Sequence, residues 1–197
     1  MRGVYDVIVK PIGSRYSNSK KIGDKTLILN TEIFNHQYIN REAEVIKVPV
    51  VNVLNLSKGD IIVLHHNVFR RWIDMRGREQ NSKGFLREDE YFVQLDQIYL
   101  TKKIGEGWKC VNGYCFVQPI KDNSPLSDET EKPLVGIVKY SDGTVKTGEL
   151  VGFMPSSEFE FVIDGQRMYR VISKFITIKY EYQGDEEEYN PSWAQSC

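Results

Sequence analysis

The feature that most constrains this chain is an internal repeat. "VIVKPI" at 7–12 returns as "CFVQPI" at 115–120, and "VIKV" at 45–48 returns as "IVKY" at 137–140. "KGDIIVL" at 58–64 returns as "TGELVGF" at 147–153, a Gly and then an acid opening an apolar run both times. "DEYFVQLDQIYL" at 89–100 shares its pattern with "QRMYRVISKFITI" at 166–178. Four segments in one order, met twice, imply two copies of one small unit within 197 residues.

The repeated segments are short β-branched and aromatic runs cut by Gly, Asn, Asp and Pro, which is strand and turn chemistry. Strands are predicted at 5–12, 42–51, 60–67, 68–75 and 90–100, and again at 114–120, 134–141, 149–154, 159–164, 166–172 and 174–182. "SDGT" at 141–144 and "IDGQ" at 163–166 set Asp-Gly between apolar runs, a strong hairpin cue. The predicted class is all-β, as two tandem small irregular barrels. The first covers 1–102, a linker 103–112, and the second, more degenerate barrel 113–182. The acidic, Pro-broken stretch 183–197 is expected to be a flexible tail.

The copies differ between their first two repeated segments. There the first carries an insertion of about thirty residues, far beyond ordinary connections. The second has "KDNSPLSDETEKP", short and acidic. The insertion, a mobile loop over about 14–41, holds the apolar triplet Leu27, Ile28, Leu29. Two readings of the triplet stay open: a buried strand "TLILNTEIF", or apolar residues presented to a partner. Lys20, Lys21, Gly23 and Asp24 before it favour a loop, while "EIFNHQYI" after it has the apolar content to be partly ordered.

Charge limits the partners. Lys and Arg number 26 against 27 Asp and Glu, a formal net charge of −1, which argues against a polyanion binder acting through bulk charge. One dense stretch, "HHNVFRRWIDMRGR" at 65–78, gathers Arg70, Arg71, Trp72, Arg76 and Arg78. Such residues serve a subunit interface, or a basic patch that stacks and clamps single-stranded nucleic acid. With so little net charge the subunit contact is preferred and nucleic acid is not expected. On a strand, His65 and His66 would face opposite ways and not share a metal, so no metal site is expected.

Three cysteines, Cys110, Cys115 and Cys197, make no disulfide framework and fit a reducing compartment. No apolar run reaches the ~18–20 residues of a membrane span, and the N-terminus enters a strand pattern at once, so a cytoplasmic protein is expected. Nucleophile-elbow, phosphate-loop and HExxH patterns are absent, and the chain is read as a non-enzyme without a cofactor.

The ordered series "VIVKP", a loop with an apolar triplet, "AEVIKV", "KGDIIVL" and "EYFVQLDQIYL" resembles the co-chaperonin (chaperonin-10, GroES-like) family. The resemblance covers most of residues 4–100 and, more faintly, 113–180. It departs in "GDKT", where the family places Gly-Gly before its tripeptide, in a longer far arm "IFNHQYIN", and in the short "PVVNVLNLS", where a roof hairpin is not evident. It implies a small β-barrel that assembles as a seven-membered, homo-oligomeric ring and closes a chaperonin (GroEL-like) chamber. Leu27, Ile28 and Leu29 would then dock on the chaperonin apical domains, and nucleotide would belong to the partner. Duplicated and phage-encoded forms occur in the family, the latter acting in the host cytoplasm. The alternative is a non-catalytic structural, virion or nucleic-acid-binding β-barrel protein that uses the stretch 69–78.

Overall fold

The computed structural model describes residues 2–17, 19–22, 24–28, 35–111, 113–122, 130–181, 184 and 186–196. The chain divides into two compact units, Met1–Trp108 and Lys109–Cys197. The first contains β1 (Val7–Pro11), β2 (Ser19–Ile22), β3 (Lys25–Ile28), β4 (Glu42–Lys47), β5 (Ile61–Leu64), β6 (Trp72–Ile73), β7 (Glu79–Gln80), β8 (Phe85–Arg87), β9 (Glu90–Val93) and β10 (Ile98–Lys102). After β11 (Trp108–Cys110) the second contains β12 (Tyr114–Lys121), β13 (Glu131–Ser141), β14 (Leu150–Phe153), β15 (Phe159–Ile163), β16 (Gln166–Ile172) and β17 (Ile176–Tyr180). The protein is all-β. Helical structure among the described residues is limited to short 3-10 turns.

The main sheet of the first unit runs β11-β10-β5-β4-β1-β9-β8, and that of the second runs β17-β14-β13-β12-β16-β15. From β10 and β17 onward the two orders match strand for strand. The registers match as well. Val9 lies opposite Val45 as Val117 lies opposite Val138, and a register shift follows Ile8 in one copy and Phe116 in the other. Val63 pairs with Leu100 as Gly152 pairs with Ile178, each beside a second shift.

The turn entering β5 and β14 is also repeated. Val45 donates its N–H to Asp60 O at 2.8 Å and accepts from Gly59 N–H at 2.8 Å. Val138 does the same with Glu149 and Gly148 at 2.9 and 2.8 Å. Both glycines sit at positive φ, 92° and 88°, where a side chain would be strained. Several core strands are buried over consecutive positions, Val7–Val9 in β1, Cys115–Ile120 in β12 and all of β14, so both faces of the sheet are covered there. Val7, Val9, Val45, Ile62, Leu64 and Val93 are buried in the first unit. Val117, Val138, Val151, Phe153 and Val171 form a core cluster in the second. Each such side chain contributes about 1.5–3 kcal/mol by leaving water.

The other sheet face separates the copies. Two cross-strand rows, Glu42–Val63–Leu100 and Glu44–Ile61–Lys102, carry charge in the first unit. Their counterparts, Val135–Gly152–Ile178 and Ile137–Leu150–Tyr180, are apolar. Lys10, opposite Glu44, holds it in an ion pair at 3.0 Å, whereas Gln118 lies opposite Ile137.

Three expectations are corrected. The segment predicted as one strand over 68–75 begins as a 3-10 turn, His66–Val68, and resumes as β6 at Trp72. The linker 103–112 contains a strand, β11. Within the stretch expected to be a flexible tail, 183–197, the described run from Glu186 to Ser196 is docked on its own unit. Lys121 N–H donates to Glu187 O at 2.7 Å, Tyr189 N–H to Pro119 O at 2.8 Å, and Ala194 is fully buried. The acids that made it read as a solvated run meet lysines, Glu187 with Lys121 and Glu188 with Lys139.

Candidate functional site

The first unit carries two excursions that interrupt the shared plan, one between β1 and β4 and one between β5 and β8. The second unit crosses the same gaps with residues 122–130 and 154–158. Both excursions of the first unit fold locally, and they are fastened to each other.

The first excursion leaves on a zipped stalk. Ser17 N–H donates to Tyr38 O at 2.7 Å, Asn40 N–H to Arg15 O at 3.1 Å, and Tyr16 bridges Ile39. The Asn40 amide donates to Ile12 O and Ser14 O at 2.6 and 3.0 Å. The segment expected to be mobile from 14 to 41 is thus paired at both ends, because Asn40 and Tyr16 satisfy backbone groups an open loop would leave to water. Beyond the stalk, β2 and β3 form a hairpin with Lys20 opposite Leu27 and Ser19 opposite Ile28. Among the described residues this hairpin joins neither main sheet. Leu27 is 52% exposed. Leu27 is therefore not core; Ile28 ends β3, and Leu29 lies outside the described residues.

The second excursion is a tight hairpin with Trp72 opposite Gln80 and Ile73 opposite Glu79. Asp74 caps its turn. Its carboxylate accepts from Arg78 N–H at 2.9 Å, Arg76 N–H at 2.8 Å and Arg78 Nε at 3.1 Å. The Arg78 backbone bond, with those of Arg76 and the Arg78 side chain, holds this carboxyl below the usual carboxylate range. Met75 stands fully exposed at the tip, with Trp72 and Ile73 about half exposed behind it.

Arg15 joins the two. Its guanidinium donates to Phe69 O at 2.5 Å, Arg70 O at 3.1 Å and Asn81 Oδ1 at 2.6 Å, and lies 5.3 Å from the Tyr91 ring centroid. Tyr16 assists, its hydroxyl accepting from Arg71 N–H at 2.8 Å while the Arg71 guanidinium covers its ring at 4.7 Å.

The basic residues singled out in the sequence fall on this hairpin and at its base, yet they do not form an open cationic stripe. Arg71 pairs with Glu79 at 2.9 Å and Arg78 with Asp74 at 3.1 Å. Arg70 Nε is buried without a hydrogen-bond partner. Arg15, Tyr16, Asn81, Ile73 and Met75 were not singled out. The adjacent "RY" at the mouth of the insertion and an apolar Met inside "DMRG" were the available signals.

The histidines also come together, contrary to the opposite-face expectation. β5 ends at Leu64, so His65 and His66 enter a 3-10 turn and their rings stack at 4.3 Å, with His36 5.4 Å from His66. Burial, and then His65, Arg41, His36 and Arg70, push His66 down to about 3. Among the described residues no group of three or more His, Cys, Asp or Glu is placed to hold a metal ion. Cys115 is buried in the second unit, its Sγ 3.3 Å from Ser173 Oγ, and burial drives the Cys110 thiol upward.

No protein-family model and no curated protein matches the chain. No helix among the described residues is long and apolar enough to cross a membrane.

Proposed function

We propose that the chain is a co-chaperonin-like lid, assembling as a ring of small irregular barrels and capping a chaperonin chamber in the cytoplasm. Leu27, Ile28 and Leu29 contact the chaperonin apical domains, and nucleotide is handled by the partner. One observation carries the reading: Leu27 is half exposed on a hairpin that, among the described residues, joins neither main sheet, in a connection far longer than 122–130 of the second unit. One short apolar contact per chain binds weakly because the segment must give up freedom on docking. A ring of such contacts regains affinity through multivalency and still releases as a whole.

A second reading rests on Trp72, Ile73 and Met75, exposed at the other hairpin. It makes the chain a structural protein that assembles through this apolar tip. A nucleic-acid role is less well supported, since Arg71 and Arg78 are engaged by the hairpin's own acids.

The deciding experiment measures chaperonin ATPase and complex formation with the wild type and a Leu27/Ile28/Leu29→Ser variant. An ATP-dependent complex and altered turnover, both lost in a still-folded variant, support the lid. Absence of binding by the wild type to chaperonin removes it and leaves the structural reading.

A further inference from the structure

Among the described residues, the sheet of the second unit has an open edge at β17, where the other sheet carries one strand more. β17 is the last strand of its sheet, while β10, in the same position, is followed by β11. The side chains record the difference. Leu100 is 0% exposed, and its counterpart Ile178 is 49% exposed. Lys102 lies 5.0 Å from the Trp108 ring centroid, and its counterpart Tyr180 is exposed. The rows leading to the edge have diverged too, from Glu42, Glu44 and Lys102 to Val135, Ile137 and Tyr180.

Natural sheets defend open edges with charge or proline. β17, "ITIKY", has no proline and one charge, Lys179, already held by Glu149 at 2.6 Å. A shallow depression of about 480 Å³, lined by Glu149, Leu150, Lys179 and Tyr180 among others, runs beside the strand.

We propose that β17 is a self-association strand, pairing antiparallel with β17 of a second copy of this chain about a twofold at Ile178. That a strand can fill this position is seen beside β10, where β11, the strand that begins at the last residue of the first unit, does so. That the strand comes from a second copy follows from the residues. With Ile178 opposite Ile178, Ile176 meets Tyr180 and Thr177 meets Lys179. Aromatic–β-branched and β-branched pairs favour such a ladder, and no like charges are brought face to face. An isologous contact also closes on itself, so β17 takes one partner strand and no more. The inference rests on the second unit alone, so it stands or falls apart from the docking role of Leu27.

The test uses the full chain in a Cys197→Ser background. Directly opposed residues of an antiparallel pair have Cα atoms about 4.5–5.5 Å apart, within the roughly 4.4–6.8 Å a disulfide spans. Ile178→Cys cross-links to a covalent dimer under mild oxidation. Thr177→Cys, whose opposite residue is Lys179, does so at least about tenfold more slowly because diagonal neighbours lie ~7–8 Å apart. In sedimentation equilibrium, Ile178→Lys halves the assembled mass with the circular dichroism spectrum unchanged. Equal cross-linking at 177 and 178, an unchanged mass for Ile178→Lys, or a monomeric wild type overturns the proposal.

Discussion

Asp60 and Glu149 do the same work in the two units. Each carboxylate accepts the backbone N–H three residues before it, Ser57 N–H at 2.8 Å in one case and Lys146 N–H at 3.1 Å in the other. Each residue also accepts the N–H of the equivalent valine on its own carbonyl. The match survives a change of side-chain length because the turn asks only for an acceptor at that place. Asp60 is the more buried of the two. Asp60→Ala is expected to destabilise the first unit by about 1–2 kcal/mol, by removing the carboxylate that accepts the Ser57 N–H in this turn. Denaturant titration followed by residue-resolved hydrogen exchange should confine the loss to Met1–Trp108, with Glu149→Ala giving a smaller loss in the second unit.

Gly136 and Ala43 are equivalent, lying opposite Pro119 and Pro11. The two sites tolerate different side chains. A Cβ on Gly136 would come 2.4 Å from Gln118 O and 2.7 Å from Val117 Cγ1. Gly136→Ala is expected to cost about 1–3 kcal/mol through overpacking. Thermal unfolding of the variant should show it.

Arg15→Ala should loosen the second excursion without unfolding the sheet. Hydrogen bonds from a charged donor contribute about 1.5–3 kcal/mol in such settings. The expected signature is faster amide exchange over 69–81 with β4 and β5 unchanged. Arg15→Lys should rescue poorly, since an ammonium cannot reproduce the fork that reaches Phe69 O, Arg70 O and Asn81 together. Protection of 69–81 that is identical in wild type and Arg15→Ala would sink this account.

The histidine cluster predicts acid sensitivity. His66 titrates near 3 when folded and at its ordinary 6.5 when unfolded, so between these values the unfolded chain binds the extra proton. Stability of the first unit therefore falls as pH drops from about 6.5 toward 3. His66→Gln, which cannot take up that proton, should flatten this part of the profile. A wild-type and a variant stability curve that run parallel across that window would count against it.

The fold class was legible because strand chemistry is local, and "KGDIIVL" and "TGELVGF" were set against each other in the register the sheets use. "VIKV" and "IVKY" were set one residue out. Matching letters aligned Val45 with Ile137, but the ladder makes Val138 its equivalent. Val138 belongs to one core cluster with Val117 and Val151, while Ile137 belongs to another with Val135 and Leu150. A one-residue slip in a period of two exchanges the faces. The site was less legible. Leu27 and Trp72 could be picked out by type, but the fastening of their excursions depends on Arg15 meeting carbonyls more than fifty positions away. Carbonyl acceptors leave no mark in a sequence. The docked segment 186–196 escaped for a related reason, since its acids read as solvated until Lys121 and Lys139 are placed beside them.

Two copies of one ladder in a single chain create a hazard during folding, because β1 has two geometrically acceptable mates, β4 and β13. The ion pair between Lys10 and Glu44 discriminates between them. In a crossed ladder Lys10 would lie against Ile137, and Glu44 against Gln118, separating the charges and exposing an apolar row to one of them. Such mismatches work as negative selection against the wrong pairing while the chain is still collapsing. The divergence of the two faces thus favours each strand's own mate over its duplicate, by the small margin a partly exposed ion pair supplies.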